Sequence, residues 1–79
     1  MFDKNSVMCM GSVGLLFTDE NGKSYLVDSH KLLLGENERV LFSNRIERFD
    51  SKQELTNIER ETIIAKVMEL TPEIKWKIQ

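Results

Sequence analysis

Asp28-Ser29-His30 places the three side-chain types of a hydrolytic triad at consecutive positions. A working triad converges on one reacting atom from separate segments, whereas neighbours in an extended chain point to opposite faces. The expected role of these three residues is therefore a polar strand-to-loop connection. Cys9 lies between Met8 and Met10 with no basic neighbour to lower its pKa, and reads as a structural thiol, buried or at an edge. One cysteine and one histidine, His30, cannot complete a four-ligand zinc site, and a lone cysteine closes no intramolecular bridge. Gly11-Ser12-Val13-Gly14 lacks both the Lys-Ser/Thr and the following helix of a phosphate loop, so it predicts a bend or bulge instead. Lys75 and Lys77 flank Trp76, which suggests a nucleic-acid stacking platform. Alternation, however, puts the lysines on the face opposite the ring. The expectation is a chain that is not an enzyme, with no catalytic, cofactor-binding or metal-binding residues.

Several elements would position these groups. Leu15–Thr18 and Tyr25–Val27 flank Asp19-Glu20-Asn21-Gly22-Lys23-Ser24, a hairpin signal. A two-residue type I′ turn at Asn21-Gly22 would set Glu20 against Lys23, Thr18 against Tyr25 and Leu16 against Val27. Lys31–Leu34 reads as a short strand ended by Gly35–Glu38, and Arg39–Ser43 as another, with Val40 and Phe42 on one face. Ile46 and Phe49 stand three apart, so Asn44–Asp50 predicts a turn or short helical piece. Thr56-Asn57-Ile58-Glu59 matches the capping box of a helix that runs to about Leu70 and stops before Pro72. On it, Ile63, Ile64, Val67, Met68 and Leu70 share one broad side. Ile74, Trp76 and Ile78 alternate with lysines as a closing, half-buried strand. The fold class is α+β: an antiparallel sheet of four to five strands, one C-terminal-half helix on one face, and a closing C-terminal strand.

Seventy-nine residues make one domain, 1–79, with residues 1–6 as a flexible or edge-pairing start. The start carries no secretory signal, and the longest apolar runs fall far short of the roughly 20 residues of a membrane span. A cytoplasmic location and no membrane contact are expected. The net charge of −2, with acids and bases interspersed, argues against nucleic-acid binding. In the expected hairpin, Leu15, Phe17 and Leu26 share one face and Leu16, Tyr25 and Val27 the other. One helix covers only one of these, so apolar surface remains for a partner or a second copy.

Phe17-Thr18-Asp19-Glu20-Asn21-Gly22-Lys23-Ser24-Tyr25 and Val40-Leu41-Phe42-Ser43-Asn44 carry a family resemblance. So do Ile46 with Phe49 three positions on (where Trp is usual), the helix from Ile58-Glu59-Arg60 through Ile64, and the strand around Ile74 and Trp76. Over about Gly14 to Trp76 the chain resembles the immunity protein 74 family of bacterial polymorphic toxin systems. The resemblance implies an immunity protein that binds and neutralises a cognate toxin domain, often a nuclease, of a contact-dependent growth inhibition or secreted system. It would do so by blocking the active site or substrate entry. Acidic side chains suit a nuclease's basic groove, which makes Asp19, Glu20, Glu36, Glu38 and Glu47, with Tyr25 as an aromatic anchor, the candidate partner-binding residues. Two other readings fit the same residues: a homodimeric structural or regulatory module, and a phage-encoded inhibitor of a host defence complex.

Overall fold

The computed structural model describes residues 4–10, 13–32 and 37–79. Five strands and one helix follow in the order β1 (Ser6–Cys9), β2 (Val13–Thr18), β3 (Ser24–Lys31), β4 (Glu38–Arg48), α1 (Asn57–Leu70) and β5 (Lys75–Ile78). They form one curled sheet in sequential order, β1-β2-β3-β4-β5, so the α+β class holds. The first four strands are antiparallel. β5 runs parallel to β4, because the helix between them carries the chain back before it re-enters the sheet. The sheet is therefore mixed rather than wholly antiparallel.

The β2–β3 hairpin closes one residue differently from the type I′ expectation. Gly22 N–H donates to Asp19 O at 3.1 Å and Asp19 N–H to Lys23 O at 2.9 Å. This is a three-residue loop, a type I turn completed by Gly22 at φ +82°. The Asp19 side chain stabilises it, Oδ1 accepting from the backbone N–H of both Asn21 and Lys23 at 2.9 Å. Phe17 consequently lies opposite Tyr25, Leu16 opposite Leu26 and Leu15 opposite Val27. A slip of one residue exchanges faces. Leu15, Phe17, Tyr25 and Val27 thus gather on the helix side, each at most 8% exposed, while Leu16 and Leu26 share the other face.

β4 departs further. Instead of turning at Asn44, the strand continues to Arg48. Two steps along β3, Ser29 to Val27, match five along β4, Leu41 to Ile46, so the residues from Phe42 to Arg45 form a wide bulge. The bulge breaks the period of two and returns Ile46 (6% exposed) to the core side. β3 takes in Asp28, Ser29 and His30, which were expected at a connection, and ends at Lys31, which was expected to begin a separate strand. The rest of the expected strand Lys31–Leu34, like Gly11-Ser12 and Glu36, lies largely outside the described residues.

The helix begins as its sequence requires. Thr56 Oγ1 accepts from Glu59 N–H at 3.1 Å, and Glu59 Oε1 accepts from Thr56 N–H at 3.0 Å. Ile63 and Val67 are buried against the sheet, with Ile64 and Leu70 at the margin. Met68 is 44% exposed, so the buried stripe is narrower than the five-residue side expected from periodicity. Thr71 ends the helix: its hydroxyl donates to Val67 O at 2.6 Å and accepts from Trp76 Nε1 at 2.9 Å, tying β5 to the helix terminus. Among the described residues no helix is long and apolar enough to cross a membrane.

Candidate functional site

β5 pairs with β4 only from Glu38 to Leu41, and Ser43 N–H donates to Gln79 O just beyond. Past the bulge, Ile46–Arg48 has a strand neighbour on the β3 side alone, among the described residues. The connector at 49–55 swings away from that edge before the helix starts. Between edge and connector lies an open groove of about 770 Å³. Its apolar lining includes Leu26, Ile46, Phe49 and Leu55; Glu47, Arg48, Asp50, Lys52, Glu54 and Arg60 supply alternating charge. Phe49 is 51% exposed, a large aromatic on the rim of an apolar recess.

The groove's charges are partly tied down. Arg48 Nη2 donates to Glu59 Oε2 at 2.6 Å, joining the end of β4 to the first helical turn. The Thr56 amide and the Arg48 guanidinium together hold the Glu59 carboxyl below its ordinary 4.5. Arg60 Nη1 donates to Asn57 Oδ1 at 2.8 Å. The Nε groups of Arg48 and Arg60 are buried without a hydrogen-bond partner. Both residues line the groove, but the two Nε atoms are themselves buried and are not offered to its occupant.

The six candidate residues do not form one patch. Glu47 is exposed, faces Leu26 across the strand pair and lines the groove. Glu20 is exposed at the hairpin tip, on the same end of the sheet as Phe49, whose N–H donates to Ser24 O at 3.0 Å. Asp19 spends its carboxylate on the turn amides, and its Oδ2 accepts from the Tyr25 hydroxyl at 3.4 Å. Tyr25 stacks on Phe17 with ring centroids 6.0 Å apart and belongs to the core. Burial, with the Asp19 charge beside it, pushes the Tyr25 phenol above its ordinary 10.0. Glu38 stands at the far end of β4 opposite Lys75, and Glu36 falls outside the described residues. Sequence reasoning did not single out Arg48, Leu55 or Arg60 as site residues, and placed Phe49 in a turn or short helical piece rather than at a binding surface. The one available signal was the spacing of Ile46 and Phe49, which a bulged strand produces as readily as a turn.

β3 divides Asp28-Ser29-His30 as alternation demands. Ser29 is fully buried on the helix side, where its Oγ accepts from Arg39 Nη2 at 3.2 Å. Asp28 and His30 lie on the other face; Asp28 pairs with Arg45 at 3.2 Å, and His30 meets the Phe42 ring edge-on at 5.4 Å. Cys9 is exposed on the edge strand. No group of three or more His, Cys, Asp or Glu side chains among the described residues is placed to hold a metal ion. No known family model, characterised protein or solved structure matches the chain.

Proposed function

We propose that this protein is a binding inhibitor: an immunity protein that covers a cognate bacterial toxin domain, a nuclease, and blocks its active site or substrate entry. The observation that carries the reading is the groove beside the second half of β4. It combines an apolar lining, an aromatic rim residue exposed by half and charges of both signs, two arginines among them. Interface hot spots are built from that combination, since an aromatic anchor supplies area and the surrounding charges set orientation. The family resemblance supports the same reading. The groove, with Glu47 lining it, is the surface assigned to the toxin, and Glu20 at the hairpin tip extends it.

The test is co-expression with the product of the adjacent gene. The expected result is restored growth and co-purification at a one-to-one ratio. Phe49→Asp should weaken the complex at least about tenfold, the equivalent of 1.4 kcal/mol, while leaving the fold intact by circular dichroism. A neighbour that is harmless on its own would remove the basis for the immunity reading. A complex indifferent to Phe49→Asp would move the interface elsewhere.

A further inference from the structure

The end of β4 away from the groove gathers two cations on one face of the sheet. Lys31 lies directly across from Arg39 in the β3–β4 register, and Arg39 across from Trp76 in the β4–β5 register. Alternation puts all three on the helix side, in step with the buried Ser29 and Leu41. Like charges at directly opposed positions repel, so a lysine against an arginine is a costly pair for such a slot. Lys31 is exposed, but Arg39 is only 6% exposed. Its Nη2 donates to the Ser29 hydroxyl at 3.2 Å, and its Nε is buried with no acceptor. Among the described residues no carboxylate stands within ion-pair distance of either cation. A guanidinium that has lost its water and faces a second cation instead of an acid is an unbalanced charge, which folded chains rarely keep without a counterion.

We propose that the row Lys31, Arg39 and Trp76 binds a small phosphate, inorganic or a monoester, as that counterion. Charge selects the ligand: two cations are matched by one dianion, whereas a single carboxylate leaves net positive charge behind. A phosphate carries about −1.5 to −2 at neutral pH and accepts several hydrogen bonds at once. The roles divide by exposure. The Lys31 ammonium, on its flexible stem, is the group that meets the anion from solvent. Arg39, positioned by Ser29, supplies fixed positive charge beside it. Trp76 borders Arg39 on the β5 side, its indole held by the Thr71 hydroxyl at 2.9 Å. The bound anion relieves the repulsion across the β3–β4 pair, so ligand and fold stabilise one another. The proposal does not rest on the toxin reading: Arg39 lies on the half of β4 that β5 covers, and the groove lies past the bulge at the other end.

Thermal melts of the full chain at matched ionic strength test it, with inorganic phosphate, glycerol 3-phosphate, acetate and chloride as the probes. A site with a Kd of about 10 mM should raise the melting midpoint by about 4–8 °C in about 50 mM inorganic phosphate relative to chloride, and acetate should give much less. An equal shift with glycerol 3-phosphate assigns the site to the phosphate group itself; a larger one assigns it to an organic phosphate. Lys31→Ala, at an exposed position outside the core, should remove most of the shift, and Lys31→Arg should keep it. Arg39→Met should melt at the same temperature in phosphate and chloride; should it fail to fold, Lys31→Ala decides. Trp76 is the sole tryptophan, so its indole N–H resonance gives a readout separate from stability. Phosphate should move that resonance saturably in the wild-type chain and not in Lys31→Ala. Phe49→Asp in the groove should respond as the wild type does. Equal midpoints in phosphate and chloride overturn the proposal, as does acetate matching phosphate. So does a shift that Lys31→Ala leaves intact, since that is the general effect of an excluded salt on any fold. Glu36 lies outside the described residues; a phosphate response that appears only in Glu36→Gln would make that carboxylate the native counterion and overturn the proposal as well.

Discussion

Leu15 and Leu16 are neighbours in the chain, and both are nearly lost to solvent, at 0% and 2% exposure. They are buried by different means. Leu15 belongs to the cluster that Ile63 and Val67 of the helix close from above. Leu16 points to the opposite face, where no helix lies among the described residues, and is flanked by Met8 and Leu26 of the neighbouring strands. One face is packed in three dimensions; the other is shielded sideways by half-exposed neighbours on a curled sheet. Loss of accessible area is nearly the same for the two leucines, but only Leu15 belongs to the core cluster, so the cost of a cavity is expected to differ.

The contrast is broken most directly with phenylalanines. Phe17→Ala, on the closed face, should lower unfolding free energy by about 3–5 kcal/mol. Phe42→Ala, half-buried on the open face, should cost only about 1 kcal/mol. Equal losses in urea titrations would mean the open face is as well packed as the closed one. A smaller effect compares polar groups on the same strand. Ser29→Ala removes the hydroxyl that accepts from the buried Arg39 guanidinium and should cost about 1–3 kcal/mol. Asp28→Asn, which weakens an ion pair whose arginine is 67% exposed, should cost below about 1 kcal/mol and less still in high salt. Thr56→Ala, which opens the capping box, should cost about 1 kcal/mol.

The smallest effects are pH-dependent, and their signs are opposed. The folded-state pKa of Glu59 is depressed, so its contribution is present above 4.5 and is lost as pH falls through the lower folded value. That of Tyr25 is raised, so its contribution is present below 10.0 and is lost as pH rises through the higher folded value. Glu59→Gln should flatten the acid limb of a thermal-melt series, and Tyr25→Phe the alkaline limb. A Tyr25→Phe profile unchanged at high pH would place the phenol in ordinary solvent.

How much could be read beforehand followed the range of the interaction. The capping box and the stop before Pro72 depend on residues a few positions apart, and both appear in the fold; the closing strand appears too, but it starts at Lys75, after Ile74, and only Trp76 within it is half-buried, Ile78 being 45% exposed. The hairpin was legible as a hairpin but not in its register. Asn21-Gly22 fits a two-residue turn locally, and the outcome was set by Asp19 reaching two amides together with four large side chains needing one covered face. The β4 bulge was invisible because alternation detects only unbroken strands. The groove was hidden for the same reason: it exists where β4 outlasts its parallel partner, a relation between segments about 30 positions apart. β1 gave no periodic signal in four residues.

The parallel seam between β4 and β5 also predicts an order of folding events. Antiparallel hairpins can close between neighbours, whereas β5 pairs with β4 only across the connector and the helix, so its docking is expected to come late in folding. Trp76, the sole tryptophan, sits on that last strand with its indole tied to Thr71. Its fluorescence is thus a built-in clock for the final step. A refolding trace in which the indole signal lags the far-ultraviolet signal would time the closing of the C-terminal seam without an added probe.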